Sequence, residues 1–165
     1  MLAKPKPPEA GEDVAAEAAS LEALQGHLEP IEIMERAASH DFAGSLAAVS
    51  SFGADSAVLL HMISRVDPSL PVAFLDTGKH FGETLDYRDA LVADFALRDI
   101  RVIAPDAAAL ARVDPNGTLH ARDTDACCDV RKVEPMARAV APFRAWLTGR
   151  KRFQAATRKN LAVYE

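Results

Sequence analysis

The stretch Ser45-Leu-Ala-Ala-Val49 is short and apolar, and it passes through a glycine-containing loop, Ser50-Ser-Phe-Gly-Ala-Asp-Ser56, directly into Ala57-Val-Leu-Leu-His-Met-Ile-Ser-Arg65, a segment of helical composition. A buried strand that becomes a helix across one tight loop confines the chain to α/β architectures. The pattern then repeats. Leu70-Pro-Val-Ala-Phe-Leu75 reads as a second strand ending in Asp76-Thr77-Gly78, Thr84 to about Phe95 as a helix, and Asp99-Ile-Arg-Val-Ile103 as a third strand closed by Pro105. Strand and helix alternating at this spacing predict right-handed βαβ units and a mostly parallel sheet, in a three-layer Rossmann-like domain. Ligands of such sheets sit at the carboxyl ends of strands, where both Ser50–Ser56 and Asp76–Gly78 fall.

Around this centre, Val14 to about Ser39 is helical, with Leu21, Leu24, Leu28, Ile31 and Met34 at helical spacing and a break at Pro30. After the Pro115-Asn-Gly117 turn and a polar segment, Ala126 to about Val140 reads as a helix with an irregularity at Pro135. Phe143-Arg-Ala-Trp-Leu-Thr148 reads as a fourth strand, and Gly149 to Gln154 as a loop. The Pro-rich, charged residues 1–12 are expected to be a disordered tail, and 13–165 a single α/β domain with its helical segment at 13–40. The 165 residues suit a single core, and 49% hydrophobic with only 6% aromatic residues favours helices over an aliphatic sheet rather than a β-sandwich.

Charge is distributed unevenly. Residues 1–49 carry 3 basic and 9 acidic side chains, whereas 131–165 carry 9 basic and 2 acidic, which makes the basic end a candidate anion site. A long nucleic acid would be repelled by the rest of a chain of net charge −5, and no nucleic-acid reader motif is present. No stretch is long and apolar enough to cross a bilayer, and the first residues lack the apolar core of a signal peptide, so no membrane partner and a cytoplasmic location are expected.

The loop Ser50, Ser51, Phe52, Gly53, Ala54, Asp55, Ser56 is the leading candidate for an anion cradle. Its position offers free N–H groups and a positive helix end; Gly53 admits close approach, Ser51 and Ser56 can donate, and Asp55 can cap. It is neither a Walker loop nor a dinucleotide fingerprint, and read alone it is also a capped helix start. Of the histidines, His27, His40, His61 and His120 have no metal-ligand spacing, and His80 is either functional or structural.

Ser51-Phe-Gly-Ala-Asp-Ser56 resembles the phosphate loop of the adenine nucleotide alpha hydrolase-like superfamily, usually Ser-Gly-Gly-x-Asp-Ser. The run Phe74–Arg88, Cys127-Cys-Asp-Val-Arg-Lys-Val-Glu-Pro135 and Trp146-Leu-Thr-Gly-Arg-Lys-Arg-Phe-Gln154 resemble the assimilatory adenylyl-sulfate and phosphoadenylyl-sulfate reductases. Four motifs in order over about residues 45–165 make coincidence implausible. The resemblance implies reduction of adenylyl sulfate to sulfite and AMP in sulfate assimilation and cysteine biosynthesis, with thioredoxin or a similar thiol donor. It also implies substrate binding by the anion loop, by Leu75, Asp76, Thr77 and Gly78, and by Lys132, Gly149, Arg150, Arg152, Gln154 and Arg158. Homo-oligomerisation is a property of the resembling family. Phe52 replaces a glycine common in ATP-splitting relatives; this argues against ATP chemistry, and its bulk is expected to narrow the loop for a triphosphate.

Two cysteines, Cys127 and Cys128, stand side by side, unlike a secreted disulfide framework. The resemblance makes them two of four ligands to a 4Fe-4S cluster, completed by a distant Cys-x-x-Cys that this chain lacks, so the chain alone is expected to hold no stable cluster. Reduced core cysteines and a strained vicinal disulfide are the alternatives. The family nucleophile, in a Glu-Cys-Gly-Leu-like tail, does not occur here either; no catalytic cysteine is assigned, and this chain is expected to lack the family's C-terminal part and to be inactive alone. The Cys-Cys pair favours adenylyl over phosphoadenylyl sulfate. A non-catalytic nucleotide-binding or regulatory domain is the alternative of another class.

Overall fold

A four-stranded, all-parallel sheet in the order β3-β2-β1-β4 organises the molecule. The computed structural model describes residues 12–165. All but the last residue of the expected tail therefore lie outside the described residues, and Glu12 already begins helix α1 (Glu12–Gln25). Helix α2 (Pro30–Arg36) starts on its proline, where a missing N–H costs nothing, and a π turn over Ala37–Asp41 extends it.

Strand β1 (Leu46–Val49) leads through the anion loop to α3 (Ala57–Val66), then β2 (Val72–Leu75), α4 (Gly82–Asp94) and β3 (Ile100–Ile103). The inner strands are apolar throughout because both faces are covered: Ala48, Val72 and Phe74 are fully buried. Leu60 and Ile63, three apart on α3, are also fully buried and join Met34, Phe42 and Leu91 in one core.

Three short helices follow β3: α5 (Ala107–Val113), α6 (Leu119–Arg122) and α7 (Thr124–Cys128). Only α7 overlaps the expected 126–140 helix, which is divided by a π turn at Asp129–Val133 before α8 (Glu134–Val140). Pro135 explains the division, since it offers no N–H to the preceding turn and its ring crowds the carbonyl four residues back. Helix α8 lies over β2 and β3, and the chain then crosses to β4 (Ala145–Thr148), on the far side of β1. Direction through the sheet therefore reverses between β1 and β4, and such a reversal opens a crevice at the carboxyl ends of the two strands.

Candidate functional site

The crevice between β1 and β4 is an open cleft of about 920 Å³. From the β1 side, Ser51, Gly53, Ala54, Asp55 and Ser56 line it; from the β4 side, Trp146, Thr148, Gly149, Arg150, Gln154 and Arg158. Register explains the meeting: Val49 pairs with Thr148, so both strands end at one level and their following loops face each other.

The loop's shape is set from below. Buried Ser50 accepts a hydrogen bond on Oγ from the Phe52 N–H (3.1 Å), and Phe52 adopts φ +52. That left-handed conformation suits the glycine usual at this position and is uncommon for a side-chained residue. The fully buried ring compensates, meeting Phe74 edge-on at 5.6 Å between centroids. Phe52 therefore does not narrow the cleft. Its bulk lies in the core beneath the loop, contrary to the expectation from sequence. Above it, the Ser51 and Ser56 hydroxyls stand 3.4 Å apart and a 3-10 turn, Ala54–Ser56, opens α3, leaving the first N–H groups of the turn without acceptors in the helix.

The β4 side is tied to this loop. Lys151 Nζ donates to the Asp55 carbonyl (2.9 Å), Gln154 Nε2 to the Asp55 carboxylate (2.8 Å), and Arg158 Nη1 to Gln154 Oε1 (2.9 Å). Arg150 bonds Thr148 Oγ1 (3.2 Å) and pairs with Glu165 (2.8 Å). Arg152 is exposed and donates to the Leu161 carbonyl (2.8 Å), outside the cleft lining.

A second hollow, of about 550 Å³, holds the remaining candidates. Thr77, Lys79, His80, His120, Cys127, Cys128, Arg131 and Lys132 contribute to it, so Lys132 stands beside the cysteines rather than in the cleft. The loop after Leu75 satisfies itself locally: Asp76 accepts from the Gly78 N–H (2.9 Å), and Thr77 Oγ1 from the Lys79 N–H (3.3 Å). Gly78 has φ +66, which its lack of a Cβ permits. His80 is structural in its contacts, with Nε2 on the Leu75 carbonyl (3.0 Å) and its ring over Phe74.

Cys127 is half-buried, Cys128 exposed, and both are free thiols. Among the described residues no three or more His, Cys, Asp or Glu side chains gather as a metal site. Arg131, the first cation of the basic stretch 131–165 that made this end a candidate anion site, is buried and paired with Asp114 at 2.6 Å. Sequence reasoning missed that aspartate, whose partner lies 17 residues away, and it left Trp146 and Thr148 out of the cleft; their place on β4, level with the end of β1, was the available signal.

Residues 45–165 match the family of the phosphoadenosine phosphosulfate reductase domain. The chain belongs to that family. Over its whole length this reductase-family chain is 68% identical to the adenosine 5'-phosphosulfate reductase of Mesorhizobium japonicum and 54% identical to that of Chelativorans sp., spanning 66% of each relative's length. A phosphoadenosine 5'-phosphosulfate reductase of Gloeobacter violaceus is 39% identical over 75% of the chain and 52% of its own length. Among solved structures, the phosphoadenylyl-sulfate reductase of Candida auris, crystallised as a phosphate complex, superposes with a TM-score of 0.69 at 26% identity, covering 82% of this chain and 67% of that one. These likenesses agree with the Rossmann-like parallel sheet.

Proposed function

We propose that this chain is the nucleotide-binding part of a thioredoxin-dependent adenylyl-sulfate reductase, with residues 13–165 acting as one binding unit. The observation that carries the reading is the cleft at the sheet's reversal point, where an N–H-rich loop opposes Arg150 and Arg158. Backbone donors and arginine forks suit the phosphosulfate end of the substrate, because ionised oxygens make the strongest hydrogen bonds. In the reaction, a thiolate from outside this chain attacks the sulfuryl sulfur, the S–O bond to phosphate breaks, and AMP leaves with the bond's electron pair. The cations hold the developing charge on that phosphate. A thiol donor then attacks the S-sulfonated cysteine, releasing sulfite and forming a mixed disulfide. Reduced thiols and a thiol donor favour the cytoplasm.

Names borne by the relatives and the adjacent cysteines support adenylyl sulfate over its 3'-phosphorylated form. Cys127 and Cys128 would supply two thiolates to a 4Fe-4S cluster, which in this family gives electrostatic support to substrate. The donor type fits. The Arg131 Nε–H, buried without an acceptor on a wall of the same hollow, also fits an electron-rich group there. With two cysteines in the chain, the other two ligands come from outside it.

Equilibrium dialysis with AMP and adenylyl sulfate tests the reading. Arg158→Ala should weaken binding by about tenfold, consistent with loss of a charge-assisted hydrogen bond, and Arg152→Ala by less. Binding unchanged in both Arg150→Ala and Arg158→Ala would overturn this placement of the phosphosulfate.

A further inference from the structure

Three segments far apart in sequence meet on one guanidinium. Arg131, in the π turn immediately after the cysteine helix α7, is the buried cation among the described residues. Its Nη1 donates to the Thr77 carbonyl after β2, and its Nη2 to Asp114 Oδ2 after α5, each at 2.6 Å. Asp114 Oδ1 accepts the Leu119 N–H (2.8 Å), so the carboxylate is itself held from both sides. Lys79 joins the same two loops again, donating from Nζ to the Gly117 carbonyl (2.7 Å). The third face of the guanidinium is different: Arg131 Nε is buried and has no partner, although the residue lines the hollow that contains Cys127 and Cys128. A buried donor left unsatisfied is costly, and ion pairs serving stability alone gain nothing from one.

We propose that Asp114 is a positioning residue, which orients Arg131 so that its Nε–H meets an anionic acceptor carried by the cysteine pair and so that α7 keeps its distance from the loop after β2. The acceptor rests on the cluster reading above; the positioning does not. Asp114→Asn keeps the side chain's shape and removes its charge, and it alters the orientation of Arg131 without touching a cysteine.

Two measurements on this chain, free of metal, test the positioning. Alkylation of Cys127 and Cys128 by iodoacetamide, followed by mass spectrometry, should be about tenfold faster in Asp114→Asn, and amide exchange should accelerate over 76–80 and 127–133 but not over 46–56. A uniform acceleration across all three segments, or alkylation within about twofold of the parent, overturns the proposal. Should Asp114→Asn be partly unfolded at 25 °C, the rates are read at 4 °C and also in Arg131→Lys, which keeps the charge but loses the fork; a change of about twofold or less there overturns it equally. A third measurement uses the gene-length protein after anaerobic reconstitution. The iron-bound variant should lose iron to a chelator faster than the parent and show a shifted Mössbauer spectrum. A parent that takes up no iron removes the cluster and the acceptor with it, whereas alkylation and exchange still judge the positioning.

Discussion

Phe52 combines an unfavourable backbone with a favourable side chain, and substitution can separate the two. Phe52→Gly relieves the left-handed conformation, worth on the order of 1 kcal/mol, but empties a fully buried ring site, which costs about 3–5 kcal/mol for phenylalanine. Urea unfolding should therefore show a net loss of roughly 2–4 kcal/mol, while AMP affinity of the folded protein changes little, because Ser50 and the loop's N–H groups remain. Asp114 gives a pH signature. The hydrogen bond from Arg131 holds its carboxyl below the usual range, against the opposing effect of burial and with help from the Leu119 N–H. A carboxyl lowered by folding contributes stability above its unfolded value, near pH 4, and loses that contribution as pH falls through the folded one. The urea midpoint of the parent should thus fall more steeply than that of Asp114→Asn below about pH 4, and the two should run parallel from about pH 5 to 8. Residue chemistry at this scale was only partly legible beforehand. The loop Ser50–Ser56 announced itself by composition, but which way Phe52 points depends on Phe74, 22 positions later, and the pairing of Arg131 on a carboxylate with no local motif.

At the level of elements, α7 is five residues long and carries both cysteines in its last turn, so its order depends on its ends. The Asp123 side chain caps it, accepting the Ala126 N–H at 2.9 Å. Asp123→Ala should cost about 1 kcal/mol in chemical unfolding and raise the thiol alkylation rate, whereas Asp106→Ala, which uncaps α5, should cost a similar amount without affecting the thiols. The inner strands β1 and β2 could be read from apolar runs because both their faces are covered, and the edge strands β3 and β4 from short apolar stretches that keep Val102 and Trp146 exposed. Helices α5 and α6 could not: at seven and four residues they are too short to show helical periodicity, and their positions follow from packing and from the Asp114 contacts.

For the molecule as a whole, the cation excess over residues 131–165 pointed to an anion site, and Arg150 and Arg158 do line the cleft, while Arg131 is used inside the protein. Raising monovalent salt from about 0.05 to 0.5 M should weaken AMP binding by up to roughly tenfold in dialysis. It should leave the urea midpoint nearly unchanged, since exposed pairs such as Arg144 with Glu17 contribute little to stability. The strand order also imposes a timetable on synthesis. Ala48 finds its β2 partner Val72 after 24 residues, but Leu46 must wait 99 residues for Ala145, a closure costing about 1 kcal/mol more in chain entropy. At the ribosome's pace of roughly 5–20 residues per second, about 4–15 seconds separate emergence of β2 from that of β4. For that interval the nascent chain has an anion loop with only one wall, and the exposed edge of β1 awaits its last neighbour. The cleft proposed to hold the nucleotide is thus the final piece of the sheet to come into existence, and on that proposal a nucleotide should bind both walls only after β4 has docked.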